Sequence, residues 1–145
     1  MADIILLDAG PLGMISHPRP AEEIATWYSR ILGSGRGMLV PEIADYEVRR
    51  ELIRARKSRG LARLDQLKST LGYIPITTGA VLRAAEFWAA ARQRGHPTSH
   101  EKTLDADAIL AGQAATFTDD EVIVASTNPR HITRFVAAAR WHDIE

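Results

Sequence analysis

The sequence contains no cysteine, which removes disulfides, thiolate metal centres and thiol nucleophiles and leaves carboxylates and the five histidines as candidate chemistry. It also carries no net charge, since 18 Lys and Arg balance 18 Asp and Glu. Bulk electrostatics therefore does not hold this chain to nucleic acid, although a local basic patch is compatible with the balanced total. No apolar run approaches the roughly 20 residues of a membrane-spanning helix. The N-terminal MADIILLDAGPLGM is interrupted by Asp3 and Asp8 and lacks a basic leader and a small-residue cleavage site, so it does not read as a signal peptide. A soluble, cytoplasmic protein with no membrane partner is expected. No repeat or low-complexity tract is present. There is no phosphate-binding GxxxxGK[ST], because GSGRG at 33–37 lacks the Lys and Ser/Thr pair. His17, His96, His100 and His142 have no ligand spacing, and HEKTL at His100 is not the HExxH of zinc proteases.

What is present suits one ordinary domain over residues 1–145, with 46% hydrophobic and 25% charged residues. A chain of about 150 residues buries roughly 68–70% of its unfolded surface, enough for a core without staples. IILL at 4–7 is continuously apolar, as in a strand covered on both faces. Gly10 and Pro11 break it, and Ile24, Trp27, Tyr28, Ile31 and Leu32 then follow helical spacing over 21–32 until Gly33. After the GSGRG loop a second strand is expected at 38–40, a helix from Pro41 to about Lys57, and, separated by Gly60, another helix over 61–71. Gly72 ends it. A third strand follows at 73–76, and Thr77 or Thr78 can cap an Ala-rich helix over 80–94. Gly95, Pro97, Thr98 and Ser99 mark an exposed loop, 104–116 an Ala-rich helix, 122–125 a buried strand, 129–135 a short helix opened by Pro129, and 138–142 an edge strand. Strands alternating with helices imply right-handed crossovers and a central, mostly parallel sheet in a three-layer α/β/α sandwich. In such folds the site lies beyond the carboxyl ends of the strands.

Acidic residues gather at those ends. Asp8 directly follows the first strand, where it can serve a site or cap the next helix. Glu47, in PEIADYEVRREL, lies about two turns into the helix after the second strand and can reach back over the sheet edge or pair with Arg50; Asp45 points elsewhere on the same helix. Asp105 and Asp107, in TLDADAILAGQA, open a helix, so either can cap it and the other is an extra carboxylate near the shared edge. Ser126, Thr127 and Asn128 follow the strand VIVA and offer neutral oxygens there or cap the turn before Pro129. One topology thus brings Asp8, Glu47, Asp107 and Asn128 to one edge of one sheet. Clustered carboxylates repel one another unless a cation compensates, and hard oxygen donors select Mg²⁺ or Mn²⁺ over zinc. Such a site with open coordination positions suits metal-assisted phosphodiester hydrolysis.

These residues resemble the PIN-domain nucleases, most closely the VapC-like toxin branch of bacterial toxin-antitoxin pairs, over nearly the whole chain. ILLDAGPL matches the opening strand and Asp, and YEVRREL the helical Glu followed by Leu. DAILAGQA from Asp107 to Ala114 matches the D-x-x-I/L-A-x-x-A helix, and STNPRHI places Ser126, Asn128 and His131 at the family's fourth position. Asn128 stands where many members have a carboxylate. The resemblance implies a Mg²⁺- or Mn²⁺-dependent endoribonuclease in which Asp8, Glu47 and Asp107 hold the ion, Asn128 assists through water and Asp105 is an auxiliary acid. It also implies a small cognate antitoxin protein as partner and a homodimer.

The stretch from Arg49 to Arg63 is rich in Arg and Lys. On a continuous helix Glu47, Arg50, Arg54 and Lys57 share one stripe, so cations would lead away from the acids. Phosphate binding and a solvated face paired with Glu51 are the two readings of that stripe, and an acidic antitoxin tail is a third use for it. Arg50, Arg54 and Ser126 are the residues expected to contact RNA. Two other functions compete. Phosphoryl transfer through Asp8 is disfavoured because Gly10 occupies the second acid's place in DxD and no Lys follows VIVA. A degenerate PIN scaffold, binding RNA or a protein without cutting, is motivated by Asn128.

Overall fold

The computed structural model describes residues 2–94 and 101–145, with side chains in the second stretch from Leu104 onward. The loop expected at Gly95, Pro97, Thr98 and Ser99 lies outside the described residues, as do His96 and His100. Five parallel strands form the sheet: β1 (Ile4–Leu7), β2 (Gly37–Pro41), β3 (Tyr73–Ile74), β4 (Val122–Ser126) and β5 (Ala138–Arg140), in the order β3-β2-β1-β4-β5. Because β1 pairs with β2 on one side and β4 on the other, both of its faces must be covered, and this is why its sequence is an unbroken apolar run.

The alternation within β1 splits the core in two. Ile5 and Leu7 pack with Leu12 and Ile15 of α1 (Ala9–Ser16), Ile24, Trp27 and Ile31 of α2 (Glu22–Gly33), and Leu64, Leu67 and Leu71 of α4 (Ser58–Leu71). Leu6 faces the other way and joins Val124 of β4 with Leu110 and Ala114 of α6 (Glu101–Ala115). Each fully buried aliphatic side chain of this kind contributes about 1.5–3 kcal/mol. Between β2 and α4, α3 (Glu42–Arg54) follows the strand without a loop, giving Ile43 to one core and Ala44 and Val48 to the other. The remaining helix, α5 (Thr78–Gln93), is capped by Thr77, whose Oγ1 accepts from the Ala80 N–H at 3.1 Å. It packs against α6 so closely that a Cβ at Gly112 would lie 2.3 Å from the Ala80 carbonyl oxygen. The three-layer parallel α/β/α architecture expected from the sequence is the one observed.

Several local expectations are corrected. The chain enters α1 at Ala9, where only a break was anticipated; Pro11 is the third residue of that helix, and its missing N–H has no intrahelical acceptor to lose. The helix expected to run to about Lys57 stops at Arg54, because Arg56 takes a left-handed φ of 56° and Lys57 is the cap position of α4. Gly60 is no separator: it lies in the first turn of α4, where a Cβ would meet Leu52 Cδ2 at 2.8 Å. Of the strand expected at 73–76 only Tyr73–Ile74 pairs, since Glu42 captures the Ile76 N–H at 2.7 Å and the Tyr73 hydroxyl at 2.8 Å. α6 begins at Glu101, a turn before the residues thought to open it. The expected 129–135 helix is a 3-10 turn over Ile132–Arg134, and the last strand ends at Arg140 in a second such turn. Among the described residues no helix is long and apolar enough to cross a membrane.

Candidate active site

From β1 the chain moves outward through β2 to β3, then returns to the opposite side of β1 for β4 and β5. Connections leaving the carboxyl ends of β1 and β4 therefore diverge, and a crevice opens between them. Asp8 and the Ser126–Asn128 segment stand there, on a cleft of about 230 Å³ whose walls also carry Glu47 and Arg50 of α3, Asp107 of α6 and His131. The closeness of the two strand ends depends on Gly10, since a Cβ at that position would lie 2.5 Å from the Thr127 side chain. Only hydrogen fits.

Asp8 performs both tasks that its position allowed. Its Oδ1 accepts the Ala9 N–H at 2.8 Å as the cap of α1, and its Oδ2 accepts the Ser126 hydroxyl at 2.6 Å. Ser126 is buried, and its Oγ in turn accepts the Asn128 N–H at 3.0 Å, so one relay ties the ends of β1 and β4 together. Ser126, expected to meet substrate, lines the cleft and hydrogen-bonds Asp8. Burial raises the Asp8 pKa above the usual carboxylate value, and these two hydrogen bonds pull it partly back.

Glu47 and Asp107 are perturbed in the same direction. Burial raises Glu47, the Asp8 charge adds to the rise, and Arg50 opposes it. Asp107 is pushed up to about 7 by burial, then by Asp8 and Glu47. Three carboxylates from three elements thus sense one another across one cleft, and among the described residues no Lys or Arg forms an ion pair with any of them. The anticipated pairing of Glu47 with Arg50 is weaker than an ion pair: Arg50 lies over the Tyr46 ring, 5.1 Å from its centroid. Asp105 is exposed and outside the cleft lining, and its place in the second turn of α6 rules out the capping role. Asp45 does point elsewhere: it is buried and paired with Arg49 at 2.9 Å and Lys68 at 3.4 Å, locking α3 to α4.

The donor set fits a hard divalent cation by its chemistry, because it consists of carboxylate oxygens whose repulsion is met, among the described residues, by no ion pair with a Lys or Arg. Among the described residues, however, no group of three His, Asp or Glu is drawn close enough to hold an ion as it stands. The carboxylates line the cleft without closing into a shell.

The basic stripe is divided by the structure. Arg50 lines the cleft, whereas Arg54 is exposed, outside that lining, and paired with Glu51 at 2.9 Å; Lys57 has left the helix altogether. On the expectation that the cleft takes RNA, replacing Arg50 with Gln should weaken that binding severalfold and reduce its salt slope by about one, while Arg54→Gln should leave both nearly unchanged. Equal effects of the two substitutions in a salt titration would return Arg50 to a solvated face. The Gly10–Thr127 contact, and the Nδ1 of His131, which is buried with no hydrogen-bond partner among the described residues, had no signature in the sequence, the first because it joins segments 117 positions apart and the second because burial of one ring atom is a tertiary property.

No family model matches the chain, and no curated protein does. Solved structures match it along nearly its whole length. VapBC from Salmonella typhimurium, bound to DNA, is 22% identical with a TM-score of 0.71, covering 97% of this chain and 99% of that one. FitAcB from Neisseria gonorrhoeae is 16% identical with a TM-score of 0.70 over 94% and 97% of the two chains. VapBC2 from Rickettsia felis, bound to a DNA fragment from their promoter, is 13% identical with a TM-score of 0.72 over 95% and 98%. The fold is PIN-like. Asp8 directly follows the central strand of this fold, and the remaining acids of the cleft arrive from α3 and α6.

Proposed function

We propose that this protein is a divalent-metal-dependent endoribonuclease and the toxin of a toxin-antitoxin pair. One observation carries the reading: Asp8, Glu47 and Asp107 converge on one cleft at the sheet's carboxyl edge, where Asp8 raises the pKa of the other two and, among the described residues, no Lys or Arg forms an ion pair with any of the three. Asp8, Glu47 and Asp107 would hold Mg²⁺ or Mn²⁺, with Asn128 assisting through water. When bound, such an ion supplies polarisation of the scissile phosphate and activation of water. The protein's own contributions are distinct from that chemistry. Ser126 fixes the Asp8 carboxylate, Gly10 lets the strand ends approach, and Arg50 offers a cation to the RNA backbone beside the acids.

The likeness to VapBC and FitAB complexes supports a small protein partner. An acidic cleft attracts a partner's Arg or Lys, which would displace the metal and silence the enzyme, while Arg50 holds acidic residues of the same tail. A homodimer in the cytoplasm accords with this reading. Induced expression of the wild type should arrest growth, the Asp8→Asn form should be harmless at matched soluble levels, and co-expression of a short neighbouring reading frame should restore growth. A harmless wild type would defeat the toxin assignment.

A second reading, a PIN-like scaffold that binds RNA or protein without cutting, is favoured by Asn128 in place of an acid and by carboxylates that do not close into a shell. Mn²⁺-dependent cleavage by the wild type and none by Asp8→Asn decides between the two.

A further inference from the structure

Beside the three acids the cleft contains a histidine that neither the metal nor the relay from Asn128 to Asp8 employs. His131 lies just before the 3-10 turn that follows β4, and it lines the cleft. Its Nδ1 is buried and, among the described residues, has no hydrogen-bond partner. A proton on that nitrogen would leave a buried N–H without an acceptor, which is among the least tolerated arrangements in a folded protein. The ring therefore keeps Nδ1 bare and carries its proton on Nε2, the nitrogen left to the open cleft. Burial, Arg134 and Arg130 all oppose a second proton, so the ring is a neutral donor.

We infer that His131 is a substrate-binding residue that donates from Nε2 to a non-bridging oxygen of an RNA phosphodiester held in the cleft. The inference rests on the nuclease reading, since it supplies the phosphate that reading requires. Two features of the surroundings agree with an anionic ligand. Arg130 and Arg134 lie outside the lining but near enough for their charges to act on the imidazole, and Arg50 puts a cation into the lining itself. A neutral donor has an advantage over a charged one at this place: it bonds a phosphate oxygen without pairing with Asp8, Glu47 or Asp107, so the acids stay available.

The test has two arms. Nitrogen-15 NMR of ring-labelled wild-type protein at pH 7 should show His131 protonated on Nε2 alone. A ring protonated on Nδ1, or on both nitrogens, overturns the inference whatever the protein does to RNA. In the second arm, binding of an unmodified single-stranded RNA is measured by fluorescence anisotropy with Ca²⁺ in place of Mg²⁺, so that the phosphate oxygens are intact while cleavage is suppressed. Gln places its amide near the position of Nε2, and Asn places its amide near Nδ1. His131→Ala and His131→Asn should therefore weaken binding by roughly tenfold to a hundredfold, while His131→Gln stays within about threefold of wild type. Thermal unfolding of each variant accompanies the binding curves, so that lost affinity is read only from folded protein. Wild-type affinity in His131→Ala, or equal loss in all three variants, overturns the inference and leaves the nuclease reading standing. A wild type that binds no RNA overturns both.

Discussion

Asp107→Asn should lower RNA cleavage a hundredfold or more and at the same time make the protein more stable at pH 8. The loss of activity follows from removing a carboxylate that the ion and the reacting phosphate both need, on the order of the largest single electrostatic contributions known for enzymes. The gain in stability follows from the direction of its pKa. Asp107 titrates near 7 in the folded protein against an ordinary value of 3.8. The folded state therefore binds more protons than the unfolded state between those values, so the contribution of this group is fully present below about pH 4 and is lost as the pH rises through about 7. A shift of about three units corresponds to ~4 kcal/mol as a ceiling, at 1.36 kcal/mol per unit. Solvent in the open cleft screens much of this, and a gain of about 1–2 kcal/mol, a few degrees in Tm, is expected from the amide. Below about pH 3 wild type and variant should melt alike, since the carboxyl is then largely protonated in both states. Added Mg²⁺ or Mn²⁺ should raise the Tm of the wild type by mass action and that of the variant much less. Asp8→Asn should also abolish cleavage. Its stability gain should be smaller, because the amide's NH₂ cannot accept one of the two hydrogen bonds that Asp8 now receives from Ala9 and Ser126. Full activity in excess EDTA, or in both amide variants, would sink the metal site.

Asp45→Asn, by contrast, should destabilise the fold by about 2–4 kcal/mol and lower the Tm by roughly 5–15 °C with no specific effect on RNA binding. Asp45 lies two residues from Glu47 on the same helix, yet its carboxylate is buried between Arg49 and Lys68, with Lys68 reaching across from α4. Neutralising it leaves two cations facing a buried amide, although Arg49 keeps Asp65 at 2.7 Å as a second partner and limits the damage. Glu47→Gln should behave oppositely: destabilising burial and repulsion from Asp8 are relieved, so stability holds or rises while cleavage falls. Urea titration of the pair Asp45→Asn and Glu47→Gln measures both signs at once. Equal destabilisation by the two substitutions would mean that Glu47 is a structural residue like its neighbour.

Periodicity and end residues alone placed much of this molecule. The unbroken run at 4–7 identified a strand covered on both faces, and the polar residue behind it was then bound to emerge at the sheet's carboxyl edge. The same logic located Glu47 after β2 and Asn128 after β4, and the acid heading DAILAGQA supplied Asp107. These inferences succeed because strand burial and helix repeat are local properties, written every two or 3.6 residues. The chain's composition likewise excluded thiol chemistry before any fold was known.

Partnership was decided by tertiary structure. Ser126 and Asp8 are 118 positions apart, and only the adjacency of β1 and β4 makes the serine a group that fixes a carboxylate. Arg54 still belongs to α3, one turn beyond Arg50, yet it lies outside the cleft lining and pairs with Glu51, while the turn at Arg56 takes Lys57 out of the stripe. Asp45 and Glu47 look alike in sequence; one is neutralised by a lysine from another helix and the other is left facing two more acids. The physical reason is the same in each case. A side chain's type is a property of its position in the chain, but its burial and the charges within a few ångströms of it arise only when distant elements cross, and those set whether a carboxylate is an ion-pair partner or a candidate metal ligand.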